Sequence, residues 1–291
     1  MKRIRTLVFI WVIMMLSVHV TPLLHAGQFR ESHMDLAGIA KSDPEMYQRV
    51  TDAGAKTLVM EGQKPFLVYW LPENFRDLPS HRLFVVLHGT NGNAYHHLAN
   101  FLDSAKKHHF GILSVQWGWP SGKYGLKKKG MYKYIKDARQ TYRLIVSGIK
   151  YLDRLYSIQK TECAWLGFSR SSTQCAVFAH LDKNEGQKWF ALFIAASGGI
   201  GENLPIMRDL ASGKFGDKPL RGQHFYLWGG KKDRSQGENM RESKPIIEQL
   251  GGSVDILQIG KEGHGGFNHN PQYQEEAWRL WASLCSEKTH K

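Results

Sequence analysis

Continuous apolar runs recur along the chain and are separated by polar segments that carry glycine, proline and charged residues. Such runs are typical of parallel strands whose two faces are both covered. We expect the first two runs, which the short segment EGQKP joins, to be neighbours in one sheet. The pattern predicts strands at 56–60, 66–72, 82–88, 111–117, 162–169, 190–197, 224–230 and 253–260.

Helical spacing of apolar residues follows several of these strands. In the segment 137–158, Tyr142, Ile145 and Ile149 fall on one helical face. Strands that alternate with helices indicate an α/β fold, with a mostly parallel central sheet and helices on both faces. The length of 291 residues suits one large domain of this kind, which we place at 27–291. Further helices are predicted at 43–50, 171–182, about 238–250 and 272–286.

The first 26 residues have the pattern of an export signal. The basic start KRIR precedes the apolar run TLVFIWVIMMLSV, which is shorter than the ~20 residues of a typical membrane span. The segment LLHA then places a small residue, Ala26, before a candidate cleavage site. We therefore expect a signal peptide at 1–26 and a secreted or periplasmic protein. The alternative is an uncleaved membrane anchor at residues 4–24.

Composition and charge narrow the classes of partner. Charged residues make up 22% and hydrophobic residues 42% of the chain, which is a globular composition. The net charge of +13 attracts anions, but the basic residues are scattered, so we expect no nucleic-acid partner. The three cysteines lack metal-ligand spacing and leave two alternatives open: one disulfide with a free thiol, or three buried thiols.

The segment GFSRSS, residues 167–172, places a serine where a predicted strand meets a predicted helix. A sharp turn that exposes a nucleophilic serine has small residues two positions before and after it. Gly167 supplies the first, and Ser171 stands where glycine is usual, so the pattern around Ser169 is G-x-S-x-S. Taken alone, this short pattern also fits a serine that caps an ordinary helix.

A serine nucleophile needs a base, and the base needs a carboxylate partner. After the last predicted strand, the glycine-bordered loop KEGHGG presents His264, and Asp233 follows the strand 224–230 in GGKKDRS. Serine, aspartate and histidine in this chain order are typical of hydrolases with a strand-to-helix nucleophile turn. We expect Ser169 to be the nucleophile, His264 the general base and then acid, and Asp233 its partner.

Other residues compete for these two roles. His269 follows His264 closely and could act as the base, but it lies farther from the end of the strand. The carboxylate could come from Asp209, Asp217 or Asp255, each of which we expect to lie at the surface.

Paired histidines raise the question of a metal. The pairs His96–His97 and His108–His109 lack the spacing of a zinc-binding H-E-x-x-H motif. We expect solvated or capping histidines at these positions, and neither a metal nor an organic cofactor.

A tetrahedral intermediate also needs two backbone N–H donors for its negative oxygen, an oxyanion hole. We expect one N–H from Arg170, directly after the nucleophile, and the other from Thr90, in the loop after the strand 82–88. Gly89 lets that loop come close, with His88 packed or hydrogen-bonded beneath it. These residues follow predicted strands, at the edge of the sheet where ligand sites of α/β proteins lie.

At this point the chain resembles the α/β-hydrolase superfamily, over about residues 56–288. The segments LHGTNGN and GFSRSS are most similar to its secreted branch of polyhydroxybutyrate-depolymerase-like and feruloyl-esterase-like enzymes. The resemblance implies the α/β-hydrolase fold and a catalytic triad of Ser169, His264 and Asp233. It also implies Thr90 and Arg170 as the N–H donors.

Residues 117–136 follow a predicted strand on the side of the candidate site and interleave aromatic residues with lysines. Flat side chains such as Trp117 and Trp119 could form a substrate wall for sugar rings or a phenolic acyl group. The alternative is an ordinary surface loop whose aromatic side chains pack on the core.

The sequence therefore predicts a secreted serine hydrolase that cleaves carboxylic esters through an acyl-enzyme, on a small-molecule or polymer-linked substrate. Two alternatives stay open: a serine peptidase or amidase, and a catalytically silent binding protein on the same fold. Membrane contact is expected only if the N-terminal segment stays uncleaved.

Overall fold

A nine-stranded sheet runs through the part of the chain that the computed structural model describes, residues 29–32, 38–60, 66–90, 92–117, 138–184, 188–202, 204–233 and 236–286. The segment 1–26, where we predict the signal peptide, lies outside these residues. The strands are β1 (Phe29–Ser32), β2 (Lys56–Met60), β3 (Phe66–Trp70), β4 (Leu83–Leu87), β5 (Gly111–Gln116), β6 (Cys163–Phe168), β7 (Phe190–Ala196), β8 (His224–Gly230) and β9 (Ser253–Gly260).

The order of the strands across the sheet is β1-β2-β3-β5-β4-β6-β7-β8-β9. The strands from β5 to β9 in that order are parallel, and β1, β2 and β3 extend the sheet with antiparallel pairs. The prediction of a mostly parallel sheet is confirmed, as is the pairing of β2 with β3. Strand β1 was not predicted, because FRES has no apolar run.

Helices connect the parallel strands. The predicted helix at 171–182 starts with a 3₁₀ turn at Ser169–Gln174 before the α-helix begins. The helices are α1 (Ile39–Ser42), α2 (Pro44–Asp52), α3 (Ala94–His108), α4 (Ala138–Tyr156), α5 (Cys175–Asn184), α6 (Pro205–Ala211), α7 (Gln236–Gln249), α8 (Gly266–His269) and α9 (Pro271–Ser286). None of the helices described is both long enough and apolar enough to cross a membrane.

Helix α3 is the largest element that the sequence analysis missed. The side chain of Asn93 caps it by accepting a hydrogen bond from the backbone N–H of His96 at 2.8 Å. Its buried face carries Leu98, Phe101 and Leu102, in a helical spacing that the histidine pair at its start obscures.

Both faces of the sheet are covered, which explains why the strands are continuously apolar. In β4, Val85 and Leu87 point into one core layer, formed with helices α4 and α5, and Phe84 and Val86 point into the opposite layer, formed with α3 and α9. All four side chains are fully buried. Because successive residues of a strand face opposite sides, both sets of side chains in a strand such as β4 are enclosed and apolar when the sheet is covered twice.

The three cysteines lie in these layers. Cys163, Cys175 and Cys285 are buried and form no disulfide. Burial raises the pKa of the Cys163 thiol, because it disfavours the charged thiolate. Of the two alternatives left open by the sequence, this structure has three buried thiols.

The aromatic cluster around Phe84 generates a stability prediction. The Phe84 ring lies 4.7 Å from the ring of Trp278 and 5.1 Å from that of Phe101, centroid to centroid. We expect Phe84→Ala to lower the free energy of unfolding by about 3–5 kcal/mol, because it leaves a cavity between these rings. Urea unfolding measures the change. Leu155→Ala, at an exposed position, is the control and should change the free energy by less than about 0.5 kcal/mol. Equal effects of the two substitutions would contradict the prediction.

Candidate active site

The turn after β6 places Ser169 in a left-handed backbone conformation, with φ of 54°. A non-glycine residue there is strained by about 1–3 kcal/mol, and such strain is typical of functional turns. The turn is also crowded: a Cβ atom on Gly167 would lie 2.7 Å from the carbonyl oxygen of Ser171. Glycine at position 167 is therefore required sterically, as the sequence analysis expected.

Ser171 fills the position where the resemblance leads us to expect glycine, and its hydroxyl has a structural use. It is fully buried and accepts a hydrogen bond from the backbone N–H of Phe168 at 2.8 Å. Its Oγ atom lies at donating distance from two carbonyl oxygens, that of Leu87 at 2.7 Å and that of Phe168 at 3.0 Å. Since Leu87 ends β4, this serine links the turn to the strand that leads into the Thr90 loop.

The three residues predicted as a triad meet at the carboxyl edge of the sheet. The Nε2 atom of His264 lies 2.8 Å from the Oγ atom of Ser169, and its Nδ1 atom lies 2.7 Å from Oδ2 of Asp233. The side chain of His264 is 46% exposed and that of Asp233 only 12%. A carboxylate at Nδ1 favours the tautomer with the proton on Nδ1, which leaves Nε2 free to accept the serine proton.

Hydrogen bonds fix the loop that carries His264. The hydroxyl of Ser197, at the end of β7, donates to the carbonyl oxygen of His264 at 2.7 Å. Nearby, the carboxylate of Glu262 accepts hydrogen bonds from Asn270 at 3.0 Å and from Tyr273. The Tyr273 hydroxyl holds the pKa of the Glu262 carboxyl below its usual value, so that this acceptor stays ionised. None of these four residues is predicted from the sequence: Ser197, Asn270 and Tyr273 lie outside the motifs, and Glu262 lies inside KEGHGG without a role there.

The residues that compete with Asp233 and His264 for their roles are exposed or bond other side chains. Asp209 forms an ion pair with Lys214, and Asp255 bonds the ring of His224. Asp217 is exposed, so the three carboxylates are surface groups as predicted. His269 is also exposed, and the position beside the serine hydroxyl belongs to His264.

The loop that follows β4 approaches Ser169 closely. A Cβ atom on Gly89 would lie 3.0 Å from the Cβ atom of Ser169. Beneath the loop, His88 is buried, and its Nδ1 atom lies 2.7 Å from the carbonyl oxygen of Gly89. The expectation that His88 hydrogen-bonds under this loop is met.

A chain of hydrogen bonds determines which ring nitrogen of His88 holds the proton. The Oε1 atom of Gln116 accepts from the backbone N–H of Ala94 at 2.9 Å, so its amide nitrogen faces Nε2 of His88 at 3.1 Å. An amide nitrogen can only donate, hence Nε2 accepts and Nδ1 donates to Gly89. Burial lowers the pKa of His88 to about 4, so the ring is neutral near pH 7.

The two residues predicted as oxyanion donors are chain neighbours of Gly89 and Ser169, which lie close together. Thr90 follows Gly89 in the approaching loop, and Arg170 is the second residue of the 3₁₀ turn that Ser169 begins. In a trans peptide the C=O and N–H groups point in opposite directions. Because the Gly89 carbonyl points to the His88 ring, the Thr90 N–H points away from that ring.

Of the two tryptophans in the predicted substrate wall, only Trp117 lies among the described residues. The Trp117 side chain is only 1% exposed, and its indole N–H donates to the carbonyl oxygen of His88 at 2.9 Å. The prediction that Trp117 contacts substrate is wrong in this structure, because the ring packs beneath the loop instead of facing solvent. Trp119 and the rest of the loop, 118–136, lie outside the described residues.

One of the paired histidines is also not solvated. His97 is buried, and its ring centroid lies 5.4 Å from that of Phe168. Burial lowers its pKa well below the usual value. His109 ends α3 in a left-handed conformation, which is a capping position as expected. Within the ranges described, no group of three or more metal-ligating side chains is arranged to hold an ion.

Comparison with solved structures shows the class of fold. A fungal esterase from Rhizomucor miehei aligns with a TM-score of 0.59 at 16% identity, over 87% of this chain and 91% of its own. The hyperthermophilic esterase from the archaeon Pyrobaculum calidifontis aligns with a TM-score of 0.58 at 14% identity, over 97% of this chain and 98% of its own. A bacterial heroin esterase aligns at 0.54 and 14%, over 76% and 78%.

These likenesses, with the sheet and its crossovers, confirm the predicted α/β-hydrolase fold. No family model matches the sequence, and no curated protein sequence matches it. At identities of 14–16% the solved structures show the fold and leave the activity to be argued from the site itself.

Substitutions at Ser171 test whether this position needs only a small side chain or needs the hydroxyl group. We expect both Ser171→Gly and Ser171→Ala to lower the free energy of unfolding by about 1–3 kcal/mol, because each leaves the Phe168 N–H without its buried acceptor. Chemical denaturation measures the loss. The control is Ser212→Ala, which removes an exposed hydroxyl bonded to the carbonyl of Asp209. A Ser171→Gly protein as stable as the parent would show that only size matters at this position.

The buried neutral ring of His88 generates a pH prediction. Its pKa is about 4 in the fold and 6.5 in the unfolded chain. The unfolded state therefore binds the extra proton first, and stability falls as the pH drops from about 6.5 to about 4. At about 1.4 kcal/mol per pKa unit, His88 accounts for roughly 3 kcal/mol of this loss.

The test compares His88→Asn with His109→Asn, a change at an exposed histidine whose left-handed backbone asparagine tolerates. Free energies of unfolding at pH 7 and pH 4.5 should differ less for His88→Asn than for the parent protein. His109→Asn should keep the parent's dependence on pH. The prediction fails if all three proteins lose the same stability.

Proposed function

We propose that this chain is a serine hydrolase that cleaves carboxylic ester bonds through an acyl-enzyme. The observation that carries the proposal is the continuous hydrogen-bonded series from Ser169 Oγ through His264 to Asp233, with distances of 2.8 and 2.7 Å. The strained backbone of Ser169 supports it, because a serine that merely caps a helix needs no such strain.

In the proposed reaction, Ser169 Oγ attacks the ester carbonyl while His264 Nε2 takes its proton. The carbonyl oxygen becomes negative and accepts hydrogen bonds from the N–H groups of Thr90 and Arg170. When the intermediate collapses, the bond to the alcohol breaks, and His264 returns the proton to the leaving oxygen. A water molecule then repeats the sequence on the acyl-enzyme, releases the acid and restores Ser169. Asp233 stabilises the imidazolium in both halves.

This chemistry needs only groups that the chain itself supplies, and we propose no metal or organic cofactor. As substrate we propose an ester of a small molecule or of a polymer. Resemblance of LHGTNGN and GFSRSS to the secreted polyhydroxybutyrate-depolymerase-like and feruloyl-esterase-like branch supports an enzyme of that type. The names of the aligned structures, which are esterases, support ester rather than amide cleavage.

We further propose that the catalytic domain, 27–291, acts outside the cytoplasm after removal of residues 1–26. The basic start and short apolar run of that segment support export, and the basic, scattered surface charge supports no nucleic-acid partner. An uncleaved anchor at residues 4–24 is the alternative, and it would tie the same domain to a membrane.

A fluorophosphonate probe tests the nucleophile directly, because it reacts with a serine that a base activates. We expect labelling at Ser169 in residues 27–291, located by peptide mapping. Ser169→Ala should abolish labelling, and His264→Ala and Asp233→Asn should reduce ester hydrolysis by about a thousandfold or more. Matched ester and amide substrates then separate esterase from amidase.

The control variant is His269→Ala, which removes the competing histidine and should keep activity near that of the parent. A folded parent protein that neither reacts with the probe nor cleaves any ester of the panel would refute the proposal and favour a binding protein on this fold. Loss of activity in His269→Ala, with His264→Ala active, would assign the base to the other histidine.

A further inference from the structure

Three hydroxyl side chains follow the nucleophile, and each bonds the carbonyl oxygen three residues before it. Ser171 reaches Phe168 at 3.0 Å, Ser172 reaches Ser169 at 2.7 Å, and Thr173 reaches Arg170 at 2.8 Å. Such bonds are common local features of serine and threonine near helix starts. They differ here in which peptide group each one holds.

The bond from Ser172 holds the peptide between Ser169 and Arg170. That peptide carries the N–H of Arg170 on the side opposite to its carbonyl oxygen. Ser172 therefore fixes the direction of an N–H group proposed for the oxyanion hole. The bonds from Ser171 and Thr173 hold the peptides before and after it, whose N–H groups have no part in that hole.

The second proposed donor is held in the same way. The peptide between Gly89 and Thr90 has its carbonyl oxygen bonded by the buried ring of His88, also at 2.7 Å. Both peptides of the proposed hole thus accept a hydrogen bond from a buried side chain on the face turned away from the substrate. A donor at a peptide carbonyl also polarises the group and strengthens its N–H as a donor.

The surroundings of Ser172 leave its hydroxyl little freedom. The side chain is fully buried, and a Cβ atom on Gly198 would overlap both its Oγ atom and the Ser169 carbonyl oxygen. The glycine thus lets the end of β7 pack directly on this hydrogen bond. This close packing restricts the rotation of the Ser172 hydroxyl.

We infer that Ser172 is a positioning residue for the oxyanion hole, acting through the peptide that carries the Arg170 N–H. The inference rests on the proposed ester hydrolysis. Because an oxyanion hole binds the transition state and not the ground-state ester, loss of alignment lowers kcat and leaves KM nearly unchanged.

The kinetic test compares Ser172→Ala with Thr173→Val. Both remove a hydroxyl that bonds a carbonyl three residues earlier in the same turn, but only the first holds the Arg170 N–H. We expect Ser172→Ala to lower kcat by about tenfold, part of the 10²–10³ that loss of a whole donor costs, with KM within about twofold. Thr173→Val should keep both constants. Equal kcat values in the two variants, or a change in KM alone, would overturn the inference.

A spectroscopic test does not depend on activity. In protein labelled with ¹⁵N-arginine, the amide signal of Arg170 should shift in Ser172→Ala, since the carbonyl of its own peptide loses a donor. The signal should stay in place in Thr173→Val. An unmoved signal in Ser172→Ala would overturn the inference even if the protein is active. If the parent cleaves no ester, the proposed function fails, and the shift alone still decides whether Ser172 holds this peptide.

Discussion

The close approach of three backbone segments at Ser169 is the constraint on which the rest of the site depends. Three glycines lie at the ends of strands β4, β6 and β7: Gly89, Gly167 and Gly198. A Cβ atom on any of them would come too close to atoms of the turn at residues 168–172. The segments can meet because three neighbouring parallel strands end at the same edge of the sheet. Ser169 is thereby surrounded by backbone segments, and backbone N–H groups are the donors from which oxyanion holes are commonly built.

The same crowding makes the polar groups under the turn dependent on protein partners. A buried N–H or C=O without a hydrogen bond costs about 1–3 kcal/mol, so each polar group enclosed by this packing needs a partner. Ser171 and Ser172 bond the carbonyl oxygens and the N–H of the turn, and His88 bonds the loop beside it. These bonds offset the strain of the left-handed Ser169, so the turn holds a conformation that an isolated segment would avoid.

Much of the fold could be predicted because its signals are local. Continuous apolar runs located eight strands, and the chain order of serine, aspartate and histidine located residues that the structure brings together. The partners of those residues could not be predicted. Ser197 and Tyr273 act on the His264 loop through contacts between distant segments, which no spacing in the sequence encodes.

The incorrect expectations also have physical reasons. The sequence leaves Trp117 two alternatives, a substrate wall or packing on the core, and the substrate contact is wrong because the buried indole bonds the carbonyl of His88. Helix α3 was missed because its apolar face is interrupted at its start by His96 and His97, and the second of these is itself part of the core. A histidine has no fixed preference for core or solvent until its neighbours are known.

His264, which contacts Ser169, and His88, which lies under the Gly89 loop, are the same type of residue in two very different environments. His264 is half-exposed, and its ring lies within hydrogen-bonding distance of the Asp233 carboxylate at Nδ1 and of the Ser169 hydroxyl at Nε2. His88 is enclosed, its pKa is depressed to about 4, and both ring nitrogens have fixed partners, so it stays neutral and acts as a directional donor to Gly89. A charged ring in the buried position would cost free energy and force the Gln116 amide to turn. The positions are therefore not interchangeable, although the residues are identical.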